Sequence, residues 1–192
     1  MPTDTLYGIV GRAENRAAVD RIYAARKRNP EKPCIILIGD IAELEKFSIV
    51  LSDKQALART VLASGNKEPV SMVLDCPDER FTYLHRGTKT LAFRVPAQEG
   101  LRNLLKQTGP LLAPSANLEA RPPSENIAEA KKYFGDLVDP VRSRPREASA
   151  TVTLGRPASN GVDMYIDGGE IKGKASKVIR LLKDGSVHIL RE

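Results

Sequence analysis

Apolar positions recur in short blocks along the 192 residues, and the period of recurrence changes from block to block. Over 15–28 (NRAAVDRIYAARKR) Val19, Ile22 and Tyr23 stand at helical spacing behind Asn15, a good capping residue, which predicts a helix. After the turn NPEKP, the run CIILI at 34–38 is continuous and of strand length, as in a buried strand. Segments 41–47 and 53–63 read as helical, with Leu57, Val61 and Leu62 on one face of the second. Strands are predicted at 70–74, 81–85 and 91–95, and then a helix at 97–107 with Leu101, Leu104 and Leu105 on one side. The stretch LLAPSANLEARPPS is too rich in Pro, Ser and Asn to continue an element and reads as a strand running into a loop. A helix follows at 125–134, with Ile127, Ala130 and Phe134 in register. Strands are predicted at 151–154, 163–166, 177–182 and 186–190, the last two joined by the turn KDG.

Strands and helices alternating over this length predict one mixed α/β domain. No apolar run approaches a membrane span, and MPTDTLYG lacks the charged-then-apolar order of a signal peptide, so a cytoplasmic protein with no membrane partner is expected. Cys34 and Cys76 lack a CxxC partner and read as small apolar residues, and His85 and His188 are isolated. A disulfide framework, a transition-metal site and a His-based triad therefore have no support. The net charge of +6 favours anionic partners: nucleotides, pyrophosphate or RNA.

Four stretches carry candidate chemistry, each with a plainer alternative. In PTDTLYG at 2–8, Thr3, Thr5 and Tyr7 offer hydroxyls on a backbone set by Pro and Gly, as an ordinary turn also would. In RKRNPEKP at 26–33, Arg26, Arg28 and Lys32 gather where a helix meets a buried strand. They suit a polyphosphate, or else cap the helix C-terminus. Arg94 interrupts the apolar strand LAFRV and needs an anion, either a substrate carboxylate or an Asp or Glu of the chain. Ser115 and Asn117 in APSANLEARPPS stand at a strand end, where side-chain donors and free N–H groups meet phosphate, or where a simple Asx turn forms. A Walker A loop and a GxGxxG fingerprint are both missing.

These stretches, in this order, resemble the YrdC family of threonylcarbamoyl-AMP synthases. The family pattern PTDTxYGL, KxRPxxKP, V-R-V-P, S-x-N-L-x-G and D-G-G…S-T-V-V…L-R is met here by PTDTLYGIV, RKRNPEKP, LAFRVP, PSANLEARPP and IDGGEIKGKASKVIRLL…HILRE. The resemblance implies an open twisted mixed sheet with helices and a basic concave cleft. It implies the reaction of L-threonine, bicarbonate and ATP to threonylcarbamoyl-AMP and pyrophosphate, the first step toward threonylcarbamoyladenosine in tRNA. By it, Arg26 and Arg28 hold the ATP polyphosphate and carry the catalysis, with Lys32 nearby. Thr90, Ser115, Asn117 and Arg191 contact nucleotide, and Thr3, Arg94 and Ser176 contact threonine. Mg2+ is expected with ATP, no tightly bound organic cofactor is implied, and the partners are downstream tRNA-modification proteins with possible tRNA or double-stranded RNA contact.

The chain departs from the pattern at Arg26, where Lys is usual, at Leu37, where many members have His, and at Lys177, where Thr follows Ser. It also begins without the helix and strand that usually precede PTDT, and 139–162 reads as an insertion, either a solvated loop or a basic lid. The alternatives are an RNA-binding module, an inactive family member and a carbamoyltransfer domain of the hydrogenase-maturation type.

Overall fold

The computed structural model describes residues 1–63, 68–135 and 162–192. Its frame is a mixed sheet of seven strands: β1 (Gly11–Arg12), β2 (Ile35–Leu37), β3 (Val70–Asp75), β4 (Thr90–Arg94), β5 (Leu111–Leu112), β6 (Lys177–Leu181) and β7 (Val187–Arg191). Their spatial order is β1-β5-β2-β4-β3-β6-β7. Strand β4 lies parallel to β2 and antiparallel to β3, while β3 takes β6 in parallel on its other side. The three strands expected from the densest apolar runs are thus the middle of the sheet, where both neighbours satisfy their backbone groups.

Among the described residues five helices pack on this frame: α1 (Arg16–Arg26), α2 (Ala56–Ala63), α3 (Thr82–His85), α4 (Glu99–Thr108) and α5 (Ile127–Phe134). In α1 the Asn15 side chain accepts the Ala18 N–H, and Lys27 ends the helix with φ 49°, turning the chain toward β2. Val19, Ile22, Tyr23 and Arg26 share its buried face. The main core gathers Ile36, Met72, Phe93 and Ile179 from the sheet against Leu62 and Phe47. Phe47 anchors it, its ring centroid 5.1 Å from Phe93 and 5.4 Å from Phe81.

Some expectations are corrected. Residues 81–85 form no strand. Asp78 accepts the Arg80 N–H and starts a 3-10 turn over Glu79–Phe81 that runs into α3, and the Thr82 hydroxyl donates to the Glu79 carbonyl. Phe81 and Leu84, three apart, then bury together, so the apolar spacing was helical after all. Residues 163–166 join no strand, while 41–47 is helical as expected, in its 3-10 form. The strand expected at 151–154 lies outside the described residues, as does 139–162 apart from Val162. Among the described residues no helix is long and apolar enough to cross a membrane.

Candidate functional site

The N-terminal segment doubles back on itself and then runs antiparallel to the loop after β5. Pro2 bridges Tyr7, Gly8 bridges Ser115, and the Ile9 and Ala116 N–H groups reach the Pro114 and Tyr7 carbonyls. The Thr3 hydroxyl closes the bend, donating to the Leu6 carbonyl at 2.6 Å and accepting from the Thr5 and Leu6 N–H groups at 3.3 Å. Over it passes an irregular strap, 167–176, held by Tyr7: the phenol donates to the Gly169 carbonyl at 2.7 Å and accepts the Gly168 N–H at 2.9 Å. At Gly173 the strap crosses so close that a Cβ would collide with the Thr5 carbonyl oxygen, which leaves room for glycine alone.

Bend, strap and sheet enclose a cavity of about 390 Å³. Of the expected residues, Thr3, Arg26, Arg28, Thr90, Arg94, Ser115, Ser176 and Arg191 line it. Four guanidinium groups face one space whose described lining includes no Asp or Glu, so the field there favours anions.

Arg26 projects from the last turn of α1 and is 3 % exposed. Its Nε donates to the Asn117 carbonyl at 3.0 Å, and its Nη2 to Asn117 Oδ1 at 3.0 Å and Ser115 Oγ at 3.4 Å. Nη1 is buried without a partner among the described residues. Burial, then the neighbouring Arg28 charge, push this guanidinium below its ordinary pKa. A buried cation whose hydrogen-bond partners are all neutral, on a residue that borders the cavity, adds uncompensated positive charge there. Arg28 spends Nε on the Lys32 carbonyl (3.1 Å) and Nη2 on the Pro33 carbonyl (2.9 Å), which shapes the turn as well as adding charge.

Asn117 stands behind the lining and is committed to Arg26 and to the Leu118 carbonyl. Lys32 is not brought to the cavity. Its Nζ pairs with Glu119 Oε1 at 3.2 Å on the surface, while the Asn29 N–H donates to the other carboxylate oxygen. The Glu119 N–H also donates to the Arg26 carbonyl, so this acid ties the 26–33 turn to the 113–124 loop.

At the other end, Arg94 is 4 % exposed on the last residue of β4. Of the two anions weighed for it from sequence, the one in the structure is the chain's own. An Asp of the chain is present, for Nη2 donates to Asp4 Oδ1 at 2.8 Å and to Thr5 Oγ1 at 3.1 Å. Nε is buried without a partner among the described residues, and the side chain still lines the cavity. Burial lowers the Arg94 pKa and Asp4 opposes the shift. Arg191, on β7, clamps the Ser176 carbonyl through Nε (3.2 Å) and Nη2 (2.7 Å), and the Ser176 hydroxyl lies 2.7 Å from that of Ser71. Asp4 and Ser71 were missed. Ser71 carried the signal that marked Arg94, a polar residue inside an apolar strand, whereas Asp4, in the turn at 2–8, carried none.

Comparison with known proteins gives a concordant result. The family Sua5/YciO/YrdC, described as "Telomere recombination", matches residues 1–152. A threonylcarbamoyl-AMP synthase of Bacillus subtilis is 34% identical over 191 residues, 98% of this chain and 53% of the relative, so the chain spans about half that protein's length. One from Idiomarina loihiensis is 30% identical over 166 residues, 84% of this chain and 87% of the relative. The crystal structure of Pyrococcus abyssi Sua5 complexed with L-threonine superposes with a TM-score of 0.74 at 26% identity, over 99% of this chain and 48% of the other.

Proposed function

The chain belongs to the Sua5/YciO/YrdC family, and on that premise we propose that it makes threonylcarbamoyl-AMP and pyrophosphate from L-threonine, bicarbonate and ATP. The observation that carries this reading is the cavity with arginine at both ends and no carboxylate in its described lining. The threonine amine takes up CO2 derived from bicarbonate, giving a carbamate. A carbamate oxygen attacks the α-phosphorus of ATP, the bond from that phosphorus to the bridging oxygen breaks, and pyrophosphate leaves. Both reactants are anions, so the protein's task is to hold them together and offset charge.

In this reading Arg26 gives its positive charge to the polyphosphate beside Ser115, while Arg28 sets the turn and adds charge. Thr90 and Arg191 border the nucleotide, and Asn117 acts through Arg26. Arg94 meets the threonine carboxylate, with Thr3 and Ser176 alongside. Lys32 reaches the phosphates only by leaving Glu119. Among the described residues no group of three or more His, Cys, Asp or Glu could hold a metal ion, and Mg2+ arriving with ATP would add its charge to that of the arginines. We place the protein in the cytoplasm, handing its product to tRNA-modification proteins.

The test is pyrophosphate release from ATP and bicarbonate, with and without L-threonine. Threonine-dependent release that collapses in Arg28→Ala is the expected result. A folded protein that releases none, or releases it equally without threonine, refutes the reading.

A further inference from the structure

Strand β3 carries one hydroxyl in an otherwise apolar middle, Ser71, and it is fully buried. Side chains two apart on a strand share a face, and Val73 lines the cavity, so Ser71 points to the cavity side of the sheet but lies beneath its floor. What covers it is Ser176, itself 1 % exposed, with the two oxygens 2.7 Å apart. Among the described residues Ser71 Oγ has no other hydrogen-bond partner.

Either hydroxyl could be the donor, and that inventory favours Ser71. A hydroxyl has one proton and two lone pairs. Were Ser176 the donor, the Ser71 proton would be buried with no acceptor, the costlier arrangement. Ser71 therefore donates to Ser176. The other group near Ser176 Oγ is Arg191 Nη2 at 3.5 Å, which is also a donor. With donors on both of these sides, the Ser176 proton turns to the third side, and Ser176 belongs to the cavity lining.

We propose that Ser71 is a positioning residue that makes Ser176 a hydrogen-bond donor toward an anionic oxygen of the amino-acid substrate. This rests on the synthase reading above, in which Ser176 stands next to threonine. Without Ser71 the Ser176 hydroxyl is free to rotate and donate into the space left behind, and the oxygen in the cavity loses its fixed partner.

The experiment is steady-state pyrophosphate release at varied L-threonine for the wild type, Ser71→Ala, Ser176→Ala and the double variant, with ATP affinity measured alongside. Ser71→Ala is expected to raise the threonine KM about fivefold or more, with kcat within about twofold, the mark of binding lost equally in ground and transition states. ATP affinity stays at the wild-type value, and Ser71→Ala has no further effect once Ser176 is Ala. Should Ser71→Ala not fold, Ser71→Thr against Ser71→Val makes the same comparison, since they share a shape and differ in the hydroxyl. An unchanged threonine KM, an equal loss of ATP affinity, or independent multiplicative effects of the two substitutions would overturn the role of Ser71 alone. A folded wild type without threonine-dependent release overturns the synthase reading and this one with it.

Discussion

Replacing Tyr7 with Phe separates the two tasks of that side chain. The ring is fully buried in a cluster with Ala116, Phe134 and Val162, and Phe keeps that packing. Only the hydroxyl is lost, and with it the 2.7 Å bond to the Gly169 carbonyl and the 2.9 Å bond from the Gly168 N–H. Each net bond contributes about 0.5–1.5 kcal/mol. Both glycines are exposed, so water replaces the phenol and no buried group is orphaned, which favours the lower half of that range. The total is about 1–2 kcal/mol, or roughly 2–8 °C in Tm for a domain of this size. Calorimetry reads the global term, and amide exchange at Gly168 reads the local one, because the strap opens while the sheet stays formed. A loss well under about 0.5 kcal/mol with unchanged Gly168 protection refutes the claim that Tyr7 holds the strap. A fall much beyond about 10 °C shows instead that the ring repacks.

Glu119→Gln breaks the pair that holds Lys32 on the surface and removes a negative charge near the polyphosphate end. ATP is expected to bind about two- to fivefold more tightly at low ionic strength, with the gain vanishing near 0.5 M salt, as titration calorimetry at both salts would read. Ala120 sits at φ 63°, where a Cβ costs about 1–2 kcal/mol. Ala120→Gly relieves that and loses about 0.4–1 kcal/mol of unfolded-state restriction, so thermal denaturation should show a rise of about 1–4 °C.

The middle of the sheet was legible because its strands are written as apolar runs: 34–38, 70–74 and 91–95 contain β2, β3 without its last residue and β4 without its first. The two-residue strand β5 was read as the strand that opens LLAPSANLEARPPS, whereas β1 carries too little pattern to be read as one. The 81–85 error has a physical source: FTYLH is rich in β-formers, yet the Asp78 cap and the burial of Phe81 with Leu84 select the helical turn. In the site, residue types marked Arg26, Arg94 and Ser115, and the resemblance added Ser176, but neither showed which atoms remain free. That Lys32 is held by Glu119, that Arg94 already has Asp4, and that Ser71 lies under Ser176 are facts of three-dimensional proximity between distant segments. No local spacing encodes them.

Thr3 and Arg191 line one cavity, although nearly the whole described chain separates them in sequence. Its walls are drawn from the first bend, the end of α1, β4, the loop after β5, and β7. During synthesis, therefore, a nascent chain that has formed α1 and the middle strands still has an open trough, and β7 must emerge from the ribosome before Arg191 can seal it. Contacts of such long sequence separation form late and slowly. A polypeptide cut before β7 would keep the arginines of α1 but would lack Arg191 on the cavity wall.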